Sequence, residues 1–460
     1  MIKKLAALWR SFLKKDSFVQ NFSYLASGKI LVATASFFFV PVLSRLFPPE
    51  AYGNFSLFNS ITTLIVTLLL MGYPGSYVLV SPKKAFQNLI IFQILKVCSA
   101  TFFALLVIGF LYLISPNMLR GSIWLFIPIG IFVDGSMVIF SSWNVREKEF
   151  RLASKLEGFG GIFLRSVNVL FGWLGRGYVF GLICGNLIGR FVVNVINSYR
   201  FYHKEVTGLR SDITFQGVKR VLHDYSNYPK YFLPNQLLGL FAGQIPIYFL
   251  AIRFDNQSLG YYGMALTLFS LPQQLFVNAI APLFLQKANE LIESGFHHLQ
   301  SFTIRLYRTL FLVLIPPIVI LVVFSRDLVI FFLGDQWETT GSIVAMMGIY
   351  VLFQYTIFPI QSVFQIFKKE RFLFFLSAIG NLLMVLGLAI GLYLNVSFIW
   401  FIVIISGTQL ISYLLNSYFV CRTLEISFLR NVLLYGAVFI LFIISFYLFG
   451  SNNDLLSILK

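Results

Sequence analysis

Charge is scarce in this sequence, and negative charge scarcer still: charged residues make up 12% of 460, with 18 Asp and Glu against 35 Lys and Arg. Soluble domains carry about a quarter charged residues, so a water-exposed surface for a chain this long is excluded. Three cysteines, Cys98, Cys184 and Cys421, lie in or at the ends of apolar runs without paired spacing, which rules out a disulfide framework. Four histidines (His203, His223, His297, His298) fall in polar connecting segments away from any cluster of ligand spacing, so no metal centre is expected. No constellation of His, Cys and carboxylates suggests a reaction centre, and no cofactor is expected.

What is there is hydrocarbon. Hydrophobic residues reach 58% and the mean hydropathy is +0.82. A spanning helix needs about 20 apolar residues, and apolar runs near 20–44, 54–79, 87–115, 122–144, 153–174, 177–199, 229–252, 259–284, 303–325, 341–366, 372–394, 397–421 and 431–449 predict thirteen spans. The fold class is therefore all-α, a polytopic membrane protein. Met1 to Asp16 places Leu5, Leu8, Trp9, Phe12 and Leu13 on one helical side and basic residues elsewhere, so 1–17 reads as an interfacial amphipathic helix rather than a cleaved signal.

The net charge of +17 is spread in small groups between apolar runs, which suits orientation in a bilayer and argues against nucleic acid as a partner. With the N-terminus inside, most Lys and Arg fall on cytoplasmic connections, as the positive-inside rule requires. Trp124, Trp143, Trp173, Trp337 and Trp400 lie near expected span ends, where tryptophan favours the membrane interface. The long basic connection after the sixth span divides the chain into a first bundle (18–201), a cytoplasmic linker (202–228), a second bundle (229–424) and an additional helix in 425–460. The junctions after spans one and seven repeat a pattern: an external Arg (Arg45, Arg253), a turn, then Gly-x-aromatic at Gly53 and Gly260. Repeated six-helix halves are a transporter arrangement.

Charges inside a bilayer are costly and mark functional candidates. Here they are Lys29, Lys96, Asp134, Arg165 and Arg190, all in the first half. Asn186, Arg190, Asn194 and Asn197 form one helical stripe, as do Glu157, Gly161, Arg165, Asn168 and Gly172. The second half carries amides instead: Asn235, Gln244, Gln354 and Gln361. Cations suit pyrophosphate or acidic sugars and amides suit hydroxyls, so the expected site is a cavity with a cationic half (Lys29, Lys96, Arg165, Arg190) and a neutral half, with Asp134, Asn186, Asn194 and Asn168 as further polar lining. Each residue also has a plainer reading. Arg165 and Arg190 can pair with Asp134 or Glu157, Lys29 and Lys96 can snorkel, amide stripes can join helices, and Arg45 and Arg253 can anchor helix ends rather than gate.

The stretch Leu43-Ser44-Arg45-Leu46-Phe47-Pro48-Pro49-Glu50-Ala51-Tyr52-Gly53-Asn54-Phe55 resembles the first-loop signature of bacterial polysaccharide biosynthesis proteins of the O-antigen flippase type. These belong to the multidrug/oligosaccharidyl-lipid/polysaccharide (MOP) exporter superfamily. Softer matches are Leu259-Gly260-Tyr261-Tyr262 with Leu271-Pro272, and Phe332-Leu333-Gly334-Asp335-Gln336-Trp337. The resemblance implies a MATE/MOP-like fold of two six-helix bundles around a central cavity, here plus one extra C-terminal helix. It implies alternating-access export of undecaprenyl-pyrophosphate-linked oligosaccharide across the bacterial inner membrane. Partners would be membrane lipids, a polysaccharide polymerase and a chain-length regulator. The energy source, whether proton, ion or membrane potential, is not legible, with Asp134 the one candidate proton carrier. An ion-coupled drug exporter would need more embedded carboxylates, and a membrane glycosyltransferase or polymerase would need larger external loops.

Overall fold

A computed structural model describes residues 17–114, 123–175, 179–206 and 214–449, with side chains from Leu31 onward apart from a few positions within helices. The expected interfacial helix at 1–17 lies outside the described residues, Ser17 aside. Every described element is helical. Two compact units divide at Leu240 and Phe241.

The first unit contains α1 (Ser17–Leu46), α2 (Pro49–Leu70), α3 (Lys83–Ile114), α4 (Ile127–Arg146), α5 (Phe150–Leu174), α6 (Gly181–Phe201) and the short α7 (Phe215–Asp224). Pro49 opens α2, where its fixed φ suits the first turn and its missing N–H costs nothing. Gly72, at φ 74°, ends the turn after α2 in a left-handed conformation that a side chain would strain. α3 exposes Phe102, Phe103, Leu106, Phe110 and Leu113, a surface suited to hydrocarbon.

α5 is wedged between α1 and α6. A side chain at Gly161 would meet Val32 of α1, and one at Gly160 would meet Val193 of α6. Small residues let transmembrane helices approach closely. On α6, a β-carbon at Gly189 would lie 2.6 Å from the Cα of Leu164. Gly189→Ala should therefore destabilise the unit by about 1–3 kcal/mol through overpacking. Gly109→Ala, with open space around it, should be neutral or slightly stabilising, and thermal unfolding of the two variants in detergent compares them.

The second unit takes up most of α8 (Leu233–Arg253), then α9 (Asn256–Pro272), α10 (Asn278–Ser294), α11 (Phe296–Val323), α12 (Ser325–Leu333), α13 (Glu338–Ile360), α14 (Glu370–Tyr393), α15 (Phe398–Thr423) and α16 (Leu434–Phe449). Asp255 caps α9 by accepting from the Ser258 N–H at 2.8 Å, and its bonds with Ser258 hold its carboxyl below the usual range. α13 is central, packed by α9, α10, α11, α12 and α15. The Tyr307 hydroxyl meets Ser417 Oγ at 2.9 Å between α11 and α15. The additional C-terminal helix is built into this unit: Arg308 Nε donates to Asn431 Oδ1 at 3.1 Å, Phe311 stacks on Tyr435, and Gly436 lies against Phe353.

Each of the thirteen expected spans overlaps helix, although α2 stops at Leu70 inside the expected span 54–79, and among the described residues nine helices are long and apolar enough to cross a membrane by length and composition. α5 is not among them, because Glu157, Arg165, Asn168 and its glycines dilute the apolar run that helix packing replaces. Two of the five interface tryptophans depart from expectation. Trp143 and Trp337 are fully buried, set edge-on against Phe201 and Tyr261, while Trp124, Trp173 and Trp400 are exposed.

Candidate functional site: the polar seams of the first unit

The polar stripe of α6 faces α4 and forms a seam. Arg190 Nη1 hydrogen-bonds Asp134 Oδ1 as an ion pair. One turn on, Asn194 Nδ2 donates to the Val133 carbonyl at 2.8 Å. Asn197 Oδ1 then accepts from Asn144 Nδ2 at 3.1 Å. Asn186 is buried on the same stripe. Asp134 Oδ2 and Asn194 Oδ1 are buried without a hydrogen-bond partner, so the seam is not fully satisfied. Beside it, a cleft of about 590 Å³ opens among Phe132, Ser136, Phe191, Asn194, Tyr199 and His203.

Arg165 stands in a second seam. Its Nη1 donates to the Gly161 carbonyl at 2.8 Å within α5, and its Nη2 reaches Ser36 Oγ on α1. These partners are neutral, and among the described residues no carboxylate pairs with it. Asn168, on the next turn of α5, is buried against Gly185 of α6.

The four intramembrane cations therefore have different settings. Arg190 is neutralised by Asp134, Arg165 is half-buried on neutral acceptors, and Lys96 of α3 lies 5.7 Å from the ring of Phe92. Lys29 belongs to α1, two turns before Ser36, and its side chain lies outside the described residues. Of the amides, Asn235 is exposed, Gln244 has its Oε1 buried without a partner, Gln354 lies beside the Tyr413 hydroxyl, and Gln361 is half-buried. Arg45 and Arg253 are exposed in the last turns of α1 and α8, the position of helix-end anchors; the Arg253 guanidinium lies 5.5 Å from the Phe254 ring.

A third polar network was not foreseen in the sequence. At the end of the unit where α4 and α6 finish and α5 starts, Arg200 donates to Asn144 Oδ1 at 3.0 Å and pairs with Glu149. Lys204 reaches Glu147 at 2.5 Å and Glu149 at 3.0 Å. The spacing of Asn197 and Arg200, one helical turn apart and in register with the upstream stripe, was the available signal. Among the described residues, no three His, Cys, Asp or Glu side chains gather as metal ligands would.

The family model described as "Polysaccharide biosynthesis protein" matches residues 42–342. The chain belongs to the polysaccharide biosynthesis protein family. No curated protein matches it. This family member is similar in structure to the lipid II flippase MurJ in an inward closed conformation, at 16% identity over 94% of this chain and 93% of that one, with a TM-score of 0.68. An inward-facing multidrug resistance MATE family transporter of the MOP superfamily follows at 13% identity, 86% and 95% coverage and a TM-score of 0.57. An outward-facing one aligns at 12% identity, 90% and 97% coverage and a TM-score of 0.51. The polysaccharide biosynthesis protein thus has the MOP fold, that of multi-pass membrane transporters.

Proposed function

We propose that this protein is a flippase that carries an undecaprenyl-pyrophosphate-linked oligosaccharide from the cytoplasmic to the outer face of the bacterial inner membrane by alternating access. The observation that carries the reading is Arg165: a half-buried guanidinium inside a transmembrane bundle, held on a serine hydroxyl and a carbonyl with no carboxylate partner among the described residues. Leaving a charge in such a place is costly unless an anion meets it in use, and a planar guanidinium fits two phosphoryl oxygens at once. Family membership supplies the saccharide, and the resemblance in fold to a lipid flippase supports a lipid-linked form of it. Transport of this kind needs no covalent chemistry.

Deletion should strand lipid-linked repeat units on the cytoplasmic face and deplete surface polysaccharide, with the plasmid-borne gene restoring it. Unchanged surface polysaccharide in the deletion strain would refute the flippase reading.

A further inference from the structure

α7 lies across the end of the first unit where α3 begins. Val221 is buried there, Tyr73 donates its hydroxyl to the Leu222 carbonyl at 3.2 Å, and Tyr225 donates to the Leu79 carbonyl at 3.1 Å. The Thr214 side chain caps the helix by accepting from the Gly217 N–H at 3.1 Å. These contacts fix which arc of α7 faces outward. Phe215, Lys219 and His223 follow one another at four-residue spacing, with Gln216 and Arg220 alongside, and all five are exposed. Phe215 is 84% exposed. Just beyond α7, Lys230 and Tyr231 repeat the pairing of cation and aromatic, with Tyr231 73% exposed.

Several neighbouring cations at this end are occupied. Lys83 lies 3.3 Å from the buried Glu205, Arg200 and Lys204 meet Glu147 and Glu149, and Arg146 donates to the carbonyls of Tyr77 and Val80. Lys219, Arg220 and Lys230, by contrast, have no acidic partner among the described residues. His223 lies 3.8 Å from Asp224.

We propose that the outer face of α7 is a docking surface for anionic phospholipid headgroups, with Phe215 seated at the acyl boundary and Lys219 and Arg220 on the phosphates. An aromatic edge beside unpaired cations at the end of a membrane bundle matches the interfacial layer in both chemistry and place. Each basic side chain near an anionic surface contributes about 1 kcal/mol, or roughly fivefold.

The test uses the full chain with Cys98→Ser, Cys184→Ala and Cys421→Ala, and a polarity-sensitive fluorophore on Gln216→Cys. It is reconstituted in phosphatidylcholine vesicles with increasing phosphatidylglycerol. Emission should move to shorter wavelength as phosphatidylglycerol is added. Lys219→Gln and Arg220→Gln, which keep helix propensity, should each raise the phosphatidylglycerol content at half-effect about fivefold, and Phe215→Ser should remove most of the spectral shift. Emission that is the same in both lipids, or unmoved by the two glutamine substitutions, would overturn the proposal. So would a shift that follows the protein-to-lipid ratio instead of the phosphatidylglycerol content, because a second copy would then be the occupant.

Discussion

Arg165→Ala should abolish rescue of surface polysaccharide in a deletion strain while leaving the protein folded and in the membrane. The side chain is half-buried and bonded to neutral groups, so its removal leaves no buried carboxylate stranded, only the Ser36 hydroxyl, which can turn back to the Val32 carbonyl it already contacts at 2.6 Å. The structural cost is therefore that of one hydrogen-bonded side chain. The functional cost falls on binding: hydrogen bonds to a charged group contribute about 1.5–3 kcal/mol, so binding of a pyrophosphate-linked saccharide should weaken by roughly one to two orders of magnitude. Arg165→Lys keeps the charge and loses the planar fork, so it should fall between. Binding of a labelled lipid-linked saccharide, measured beside thermal unfolding, separates the two costs. Equal loss of stability and binding would make Arg165 a structural residue.

Arg190→Ala should do the opposite and strike stability first. It leaves the Asp134 carboxyl, 8% exposed, with neither oxygen paired. Removing one partner of a buried ion pair costs about 3–5 kcal/mol, toward the lower end here because the Arg190 side chain keeps 31% of its surface exposed. Asp134→Asn combined with Arg190→Gln replaces the pair by two amides that can still bridge α4 and α6, and should recover more than half of the loss. A double-mutant cycle on unfolding temperature in detergent reads this coupling directly. If the two single losses simply add, the pair does not hold the seam.

The contrast between these two arginines marks what one-dimensional reading can and cannot reach. Both were legible as intramembrane cations, because a charge within an apolar run is visible in the chain itself. Their partners were not. Asp134 and Arg190 stand 56 positions apart and meet only because α4 and α6 pack side by side. The Asn186–Arg190–Asn194–Asn197 stripe was readable as one helix face, but whether that face lines a cavity or a seam depends on the neighbouring helix. The structure sets Asn194 against Val133 and Asn197 against Asn144. The same holds for the tryptophans, since Trp143 at a span end is compatible with a lipid interface until Phe201 and Arg200 are seen to cover it. The additional C-terminal helix was visible as an apolar run with no explanation, and Arg308 with Asn431, 123 positions apart, supplies one by tying it to the second unit. α7 carries no clear sequence signature, because ten residues with a single buried valine leave too short a pattern.

The proposed activity is movement of an anionic, lipid-linked saccharide across a bilayer. The direct measurement is made in vesicles reconstituted with purified protein and a fluorescent polyisoprenyl-pyrophosphate-linked saccharide, with a membrane-impermeant quencher added outside. With the native chain, label from the inner leaflet should become quenchable at a rate proportional to protein content, and Arg165→Ala should return the rate to that of protein-free vesicles. A native rate equal to that of protein-free vesicles would rule out the proposed transport.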